Sequence, residues 1–275
     1  MKSARVFDGA LLRADLFKGG NRRLFVSFRQ RIGSPGAFDP PRPVRAFTSR
    51  GYAHLHIQSR WNDWFVNAET EALEAVLRDL APGFRRVVAM GFSMGGYGAF
   101  RFSGALNIAQ VIAIAPQISI APELVPFDKR YRAEAKGFDA ALGDLTRHGA
   151  PGLRGVVLCD PFLRADLTHA LMAQLLFPRL RLCRLAGGGH PPSRVLRQGG
   201  FFPDMQAQLL HGWVEADRLI GCHRAARRVS PSYFEHMRRV AERHGRMALA
   251  ERFAARAATV VPVVDTGKNT GCEKG

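Results

Sequence analysis

Six short apolar runs, spaced by segments of helical period, constrain this chain more than any other feature. They lie at 24–28, 53–57, 86–90, 111–115, 155–159 and 180–185, each the length of one buried strand. Segments 67–83 and 165–178 carry apolar residues at helical spacing; the first has acidic residues early and a Pro-Gly stop. Strands alternating with helices give an α/β fold, a mostly parallel central sheet covered by helices on both faces. Residues 116–149 break the alternation. They are irregular, cluster charges in FDKRYRAEAKGFD, and are expected to form a small cap over the strand ends.

The run at 86–90 leads straight into GFSMGGYGA. Gly91-Phe92-Ser93-Met94-Gly95 has the spacing G-x-S-x-G, in which a serine sits on a sharp turn between strand and helix. Glycines two residues either side of Ser93 leave room where a Cβ would meet backbone. The turn aims the Met94 N–H, at a helix N-terminus, toward an anion forming beside Ser93. Serine is a weak nucleophile without a base to take its proton and an acid to orient that base. His190 is the expected base, because in LAGGGHPPS it follows the last run after three glycines, on a loop free to reach back over the strand ends. The acid is expected just past the run at 155–159. There DPFLRAD offers Asp166 beside the next helix start and, as the alternative, Asp160 at the strand end.

The second oxyanion donor is expected near Phe28 or Arg29, in the loop after the first run. An arginine there would also meet an anionic substrate. SRWNDWF, at 59–65, follows the second run on the same side. Trp61 and Trp64, with Asn62 and Asp63, either line a substrate pocket or pack under a loop.

The formal net charge is +17, and the forty basic residues are mostly arginines spread along the whole length. Such a balance favours anionic partners, but without aromatic-basic interleaving or a zinc-finger pattern no specific nucleic-acid recognition is expected. Cys159, Cys183, Cys222 and Cys272 are scattered without C-x-x-C pairing. That points to a reducing cytoplasm, with no disulfide, no metal and no cofactor. The charged start lacks the apolar core of a signal peptide, and ALNIAQVIAIAPQISI is too short and broken to span a membrane. Residues 230–258 read as two helices joined at Gly245, with Ser230 as N-cap and Pro231 in the first turn. The expected division is a main domain at 1–218, a helical extension at 219–261 and a flexible tail at 262–275. The extension resembles a single tetratricopeptide-like hairpin and is open to a protein partner. Oligomeric state is not legible.

The GFSMGG elbow, Asp160 and Asp166, and the GGGH loop together resemble the α/β-hydrolase superfamily over roughly residues 20–215. With SRWNDWF and with APQIS at 115–119, the pattern is similar to a little-characterised bacterial group of α/β-hydrolase-like proteins. The resemblance implies an α/β-hydrolase fold and a serine hydrolase acting on an ester, thioester or related acyl bond of a small molecule. Two other functions stay open: an acyltransferase on the same triad, and a binding protein in which the triad is vestigial. No His-Gly-Gly motif follows the first run, which sets the chain apart from lipases.

Overall fold

The structure, a computed structural model, describes residues 3–263. The six apolar runs are strands of one sheet, preceded by two strands that the apolar pattern does not mark. In chain order these are β1 (Ser3–Asp8), β2 (Leu12–Phe17), β3 (Arg23–Phe28), β4 (Ala53–Ser59), β5 (Arg86–Phe92), β6 (Ile108–Ile114), β7 (Arg154–Cys159) and β8 (Leu180–Arg184). Their spatial order is β1-β2-β4-β3-β5-β6-β7-β8. β2 runs antiparallel to both β1 and β4, and every other pairing is parallel.

β1 and β2 escape a search for apolar runs because charge is built into them. Arg5 pairs with Asp8 and Asp15, and Arg13 with Asp8. β1 is the outermost strand. Charged side chains on an exposed edge discourage another chain from pairing there.

Ten helices connect and cover the strands among the described residues: α1 (Arg45–Thr48), α2 (Thr70–Leu80), α3 (Met94–Arg101), α4 (Leu145–His148), α5 (Arg164–Leu176), α6 (Ser193–Gln198), α7 (Phe202–His211), α8 (Ala216–Ala226), α9 (Pro231–Arg243) and α10 (Met247–Thr259). α2 starts where Asn67 folds back on the Glu69 N–H, and it tightens into a 3-10 turn at Pro82. It buries Leu73 and Leu77 and leaves Glu71 outside. Each such leucine contributes roughly 1.5–3 kcal/mol through burial. One core cluster joins α2, α3 and α5 to one face of the sheet through Leu77, Phe100 and Ala170. The other joins α1, α6, α7 and α8 to the opposite face through Phe47, Leu196, Met205, Leu209 and Leu219. None of these helices is long and apolar enough to cross a membrane.

The segment 116–149 packs down onto α3. The Tyr97 hydroxyl donates to Gly143 O at 2.7 Å, and Arg101 Nε to Leu142 O at 2.8 Å. At the other end, Ser230 caps α9 by accepting from the Tyr233 N–H at 3.1 Å. The chain turns at Gly245 (φ +67°), and α10 packs back on α9, with the rings of Phe234 and Phe253 6.3 Å apart. Position 218 falls inside α8, whose Leu219 is buried in the second core cluster, so the extension leaves the sheet only after α8. From residue 264 onward the expected tail lies outside the described residues. Cys159 and Cys183 are buried free thiols, each pushed up to about 12 by burial, and Cys222 is also free. Cys272 lies outside the described residues.

Candidate active site

Ser93 stands between β5 and α3 with φ 49° and ψ −120°, a backbone region that a side chain occupies only under constraint. The constraint is packing on all sides. A Cβ on Gly91 would lie 2.1 Å from Gly95 O, and one on Gly95 would lie 2.7 Å from Phe28 O. All eight residues of α3 are buried. The Ser93 N–H is held by Ile114 O at 2.9 Å, and Ser93 O accepts from the N–H groups of Gly96 and Tyr97. The serine is therefore fixed at the end of the parallel strands, with its residue only 9% exposed.

His190 comes from the loop after β8, and its Nδ1 lies 2.8 Å from Asp166 Oδ2. Asp166 sits in the first turn of α5 and is fully buried. Its other oxygen meets Arg130 Nη1 at 2.7 Å. Burial alone would raise the Asp166 carboxyl, but the hydrogen bond and charge of His190, then Arg130, outweigh it and hold the group below the usual aspartate range. Asp160 is engaged elsewhere. Its Oδ2 accepts from the Gly189 N–H at 2.7 Å and its Oδ1 from the Phe162 N–H at 3.0 Å. Of the two acids offered by DPFLRAD, Asp166 meets the imidazole and Asp160 pins the loop that carries it.

The Ser93 hydroxyl donates to Gln117 Oε1 at 3.3 Å rather than to His190. Gln117 Oε1 also accepts from the Trp64 indole N–H at 3.2 Å, and its amide donates to Ala115 O. Tyr131 packs its ring against Trp64 at a tilt of 57°, 4.7 Å between centroids. Arg130, the neighbour of Tyr131, grips Asp128 with Nε and Nη2 while its Nη1 reaches Asp166. Asp128 in turn lies 3.0 Å from Nε2 of His169, whose Nδ1 accepts from the Ile118 N–H. The carboxyl of Asp128 is buried, yet His169 and Arg130 hold it far below the usual range. The sequence reading does not single out Gln117, Arg130, Tyr131 or His169. Its one signal was their placement in APQIS, in the charged run FDKRYR and on the helix after β7.

Two expectations about the loop after β3 need correction. The Arg29 N–H donates to Ile57 O at 2.9 Å, extending the β3–β4 ladder, so it is not free for an oxyanion. The Arg29 guanidinium is buried against Ala37 O, Ser59 O and Asp39, which engage it within the fold. Phe28 packs in the core, with its carbonyl against the elbow. Among the described residues, the N–H groups of Met94 and Gln30 take no partner.

The residues of SRWNDWF divide between buried packing and an exposed surface. Trp64 is buried, while Asn62 clamps the backbone of Ile32 at both N–H and C=O. Asp63 accepts from Ser59, Phe65 and Asn67; its burial outweighs these bonds and pushes the carboxyl up. Arg60 and Trp61 are exposed. Trp61 reaches the protein's surface as a large aromatic. It lines an open groove of about 430 Å³ with Pro35, Phe138 and the Arg31–Glu134 ion pair.

No protein-family profile matches the sequence, and no curated protein matches it. Solved structures do. The chain is similar to the capsule O-acetyltransferase of Neisseria meningitidis serogroup A at 14% identity, with TM-score 0.53, over 75% of this chain and 94% of that one. It is also similar to MPT51 (FbpC1) of Mycobacterium tuberculosis at 11% identity, with TM-score 0.50, over 80% of this chain and 98% of that one. At these identities the likeness is one of fold, and with the eight-stranded sheet described above it makes this an α/β-hydrolase-like fold.

Proposed function

We propose that this protein is a serine hydrolase that cleaves an ester, thioester or related acyl bond of a small molecule, with Ser93 as nucleophile, His190 as base and Asp166 as the orienting acid. One observation carries the reading: a strained serine at the elbow faces the strand ends from which a buried Asp166 holds His190 Nδ1 at 2.8 Å. With Nδ1–H on Asp166, the imidazole presents Nε2 as a proton acceptor. The Ser93 hydroxyl then leaves Gln117 by rotation about χ1.

As Ser93 Oγ bonds to the acyl carbon, its proton passes to His190 Nε2, and the carbonyl electrons move onto oxygen. The Met94 N–H at the start of α3 donates to that oxyanion. Since Arg29 is engaged, we assign the second donor to the next residue, Gln30. Along an extended chain successive N–H groups alternate sides, and the Arg29 N–H points to β4, so that of Gln30 points toward β5 and the elbow. Collapse expels the alcohol or thiol, which takes the proton from His190 Nε2. Water repeats the sequence on the acyl-enzyme, and the acid leaves.

The substrate enters by the groove at Trp61. Two of the three segments that line it also carry Trp64, which donates to Gln117, and Tyr131, whose ring packs against Trp64. Its only arginine, Arg31, is paired with Glu134, so the groove offers apolar and aromatic contact more than an anion site.

The test is a fluorophosphonate probe on purified wild type, Ser93→Ala and His190→Ala. Labelling of wild type alone is the expected result. Equal labelling of Ser93→Ala, or none of folded wild type, would overturn the reading.

A further inference from the structure

The helical extension grips the loop that carries His190 from both sides. Ahead of the histidine, α9 lays Tyr233 and Met237 on Gly187 and His236 on Gly189. A Cβ on Gly187, at φ +78°, would lie 2.6 Å from the Tyr233 ring and 3.0 Å from Met237 Sδ. His236 Nε2 lies 3.3 Å from Asp160 Oδ2, the same oxygen that accepts from the Gly189 N–H next to His190. Behind the histidine, α6 is fastened to the first turn of α9. The Ser230 hydroxyl and the Ser232 N–H both donate to Gln198 Oε1, and Gln198 Nε2 donates to Ser232 Oγ.

These contacts are more than those of a helix resting on a finished domain. Asp160 is fully buried, and beyond two backbone N–H groups His236 is the side chain it faces. A buried carboxylate left with fewer partners moves to recover them. That movement slackens its hold on Gly189, and the imidazole one residue further on shifts with it. A base displaced by about 1 Å loses up to about a hundredfold in rate. Resting on the reading of His190 as the base, we infer that His236 is a positioning residue for catalysis. Through Asp160 it holds the Gly189–His190 backbone in place, which makes α9 part of the catalytic architecture.

Two substitutions separate this from simple packing. His236→Phe keeps a ring against the glycines and removes the polar Nε2 from beside Asp160; His236→Gln keeps a polar side chain there. Both are compared with wild type by thermal melting, by the second-order rate of fluorophosphonate labelling, and by the low-field proton NMR signal of His190 Nδ1–H, assigned through its loss in His190→Ala. The expected result is native-like melting for both variants. In His236→Phe, labelling slows about tenfold or more and the Nδ1–H signal broadens or shifts. His236→Gln stays within about threefold of wild type, with its signal in place.

An unchanged rate and signal in His236→Phe overturns the inference, and so does equal loss in both variants, which would leave only packing. The signal also separates this inference from the hydrolase reading. If wild type does not label, the hydrolase reading falls, and the Nδ1–H signal alone then decides whether His236 orders the loop.

Discussion

Replacing Asp166 by asparagine is expected to lower kcat by about 10,000-fold, with little change in KM. The amide fills the same space but cannot balance the imidazolium that forms when Ser93 gives up its proton. It also turns either its oxygen or its NH2 toward Nδ1, and the NH2 would select the wrong tautomer. Asp160→Asn is expected to cost about tenfold, through a loosened Gly189 rather than a lost charge partner. The reverse ranking would make Asp160 the acid and discard the assignment drawn from the 2.8 Å contact.

The same substitution carries a pH signature. The folded state holds the Asp166 carboxyl below its ordinary value of 3.8. Its pairing with Arg130 and His190 therefore stabilises the fold above that value, and the contribution is lost as pH falls through the lowered one. Urea midpoints of wild type and Asp166→Asn should differ at neutral pH and converge in acid. Curves that stay parallel down to the lowest pH would mean that the carboxyl is not held low.

How far the sequence carries this picture depends on where each residue sits. The parallel strands β3 to β8 are legible because both faces are covered, so apolar residues run nearly without break, as in the VVAM of β5. β1 and β2 are not legible, because an edge carrying Arg5, Asp8, Arg13 and Asp15 resembles a polar loop. Ser93 and His190 stand out in the sequence because glycines flank them just past strands. Spacing left Asp160 and Asp166 open together, because both follow β7 within one loop and first turn. Gln117, Arg130 and Tyr131 come from a segment without period, and only tertiary contact brings them to the region of Ser93 and Asp166. The Arg29 reading failed for a related reason, since sequence does not say toward which neighbour a strand-end amide points.

Removing Glu74 is expected to be the most destabilising single change that leaves the site chemistry untouched. Arg101 closes α3, the helix that follows Ser93, and its side chain is fully buried. Its Nη1 meets Glu74 Oε2 at 2.8 Å, and its Nε donates to Leu142 O at 2.8 Å. Glu74→Leu leaves that guanidinium buried without a counter-charge, a loss of about 3–5 kcal/mol. Removing both charges is milder. Glu74→Leu combined with Arg101→Met leaves the Leu142 carbonyl, the part-buried His148 and the exposed Arg78 without these partners, but no fully buried charge, and its net loss should fall to about 1–3 kcal/mol. Burial alone would raise the Glu74 carboxyl, but Arg101 and His148 outweigh it and hold it below its ordinary 4.5. The pair therefore stabilises above that value and is lost as pH falls through the lowered one. Urea unfolding of wild type, single and double variants between neutral and acid pH checks all three statements. A double variant as unstable as the single one would mean that Arg101 matters for its shape and its bond to Leu142, and that the charge pair contributes nothing. A milder double would mean instead that the charges behind the helix that follows Ser93 hold each other in place.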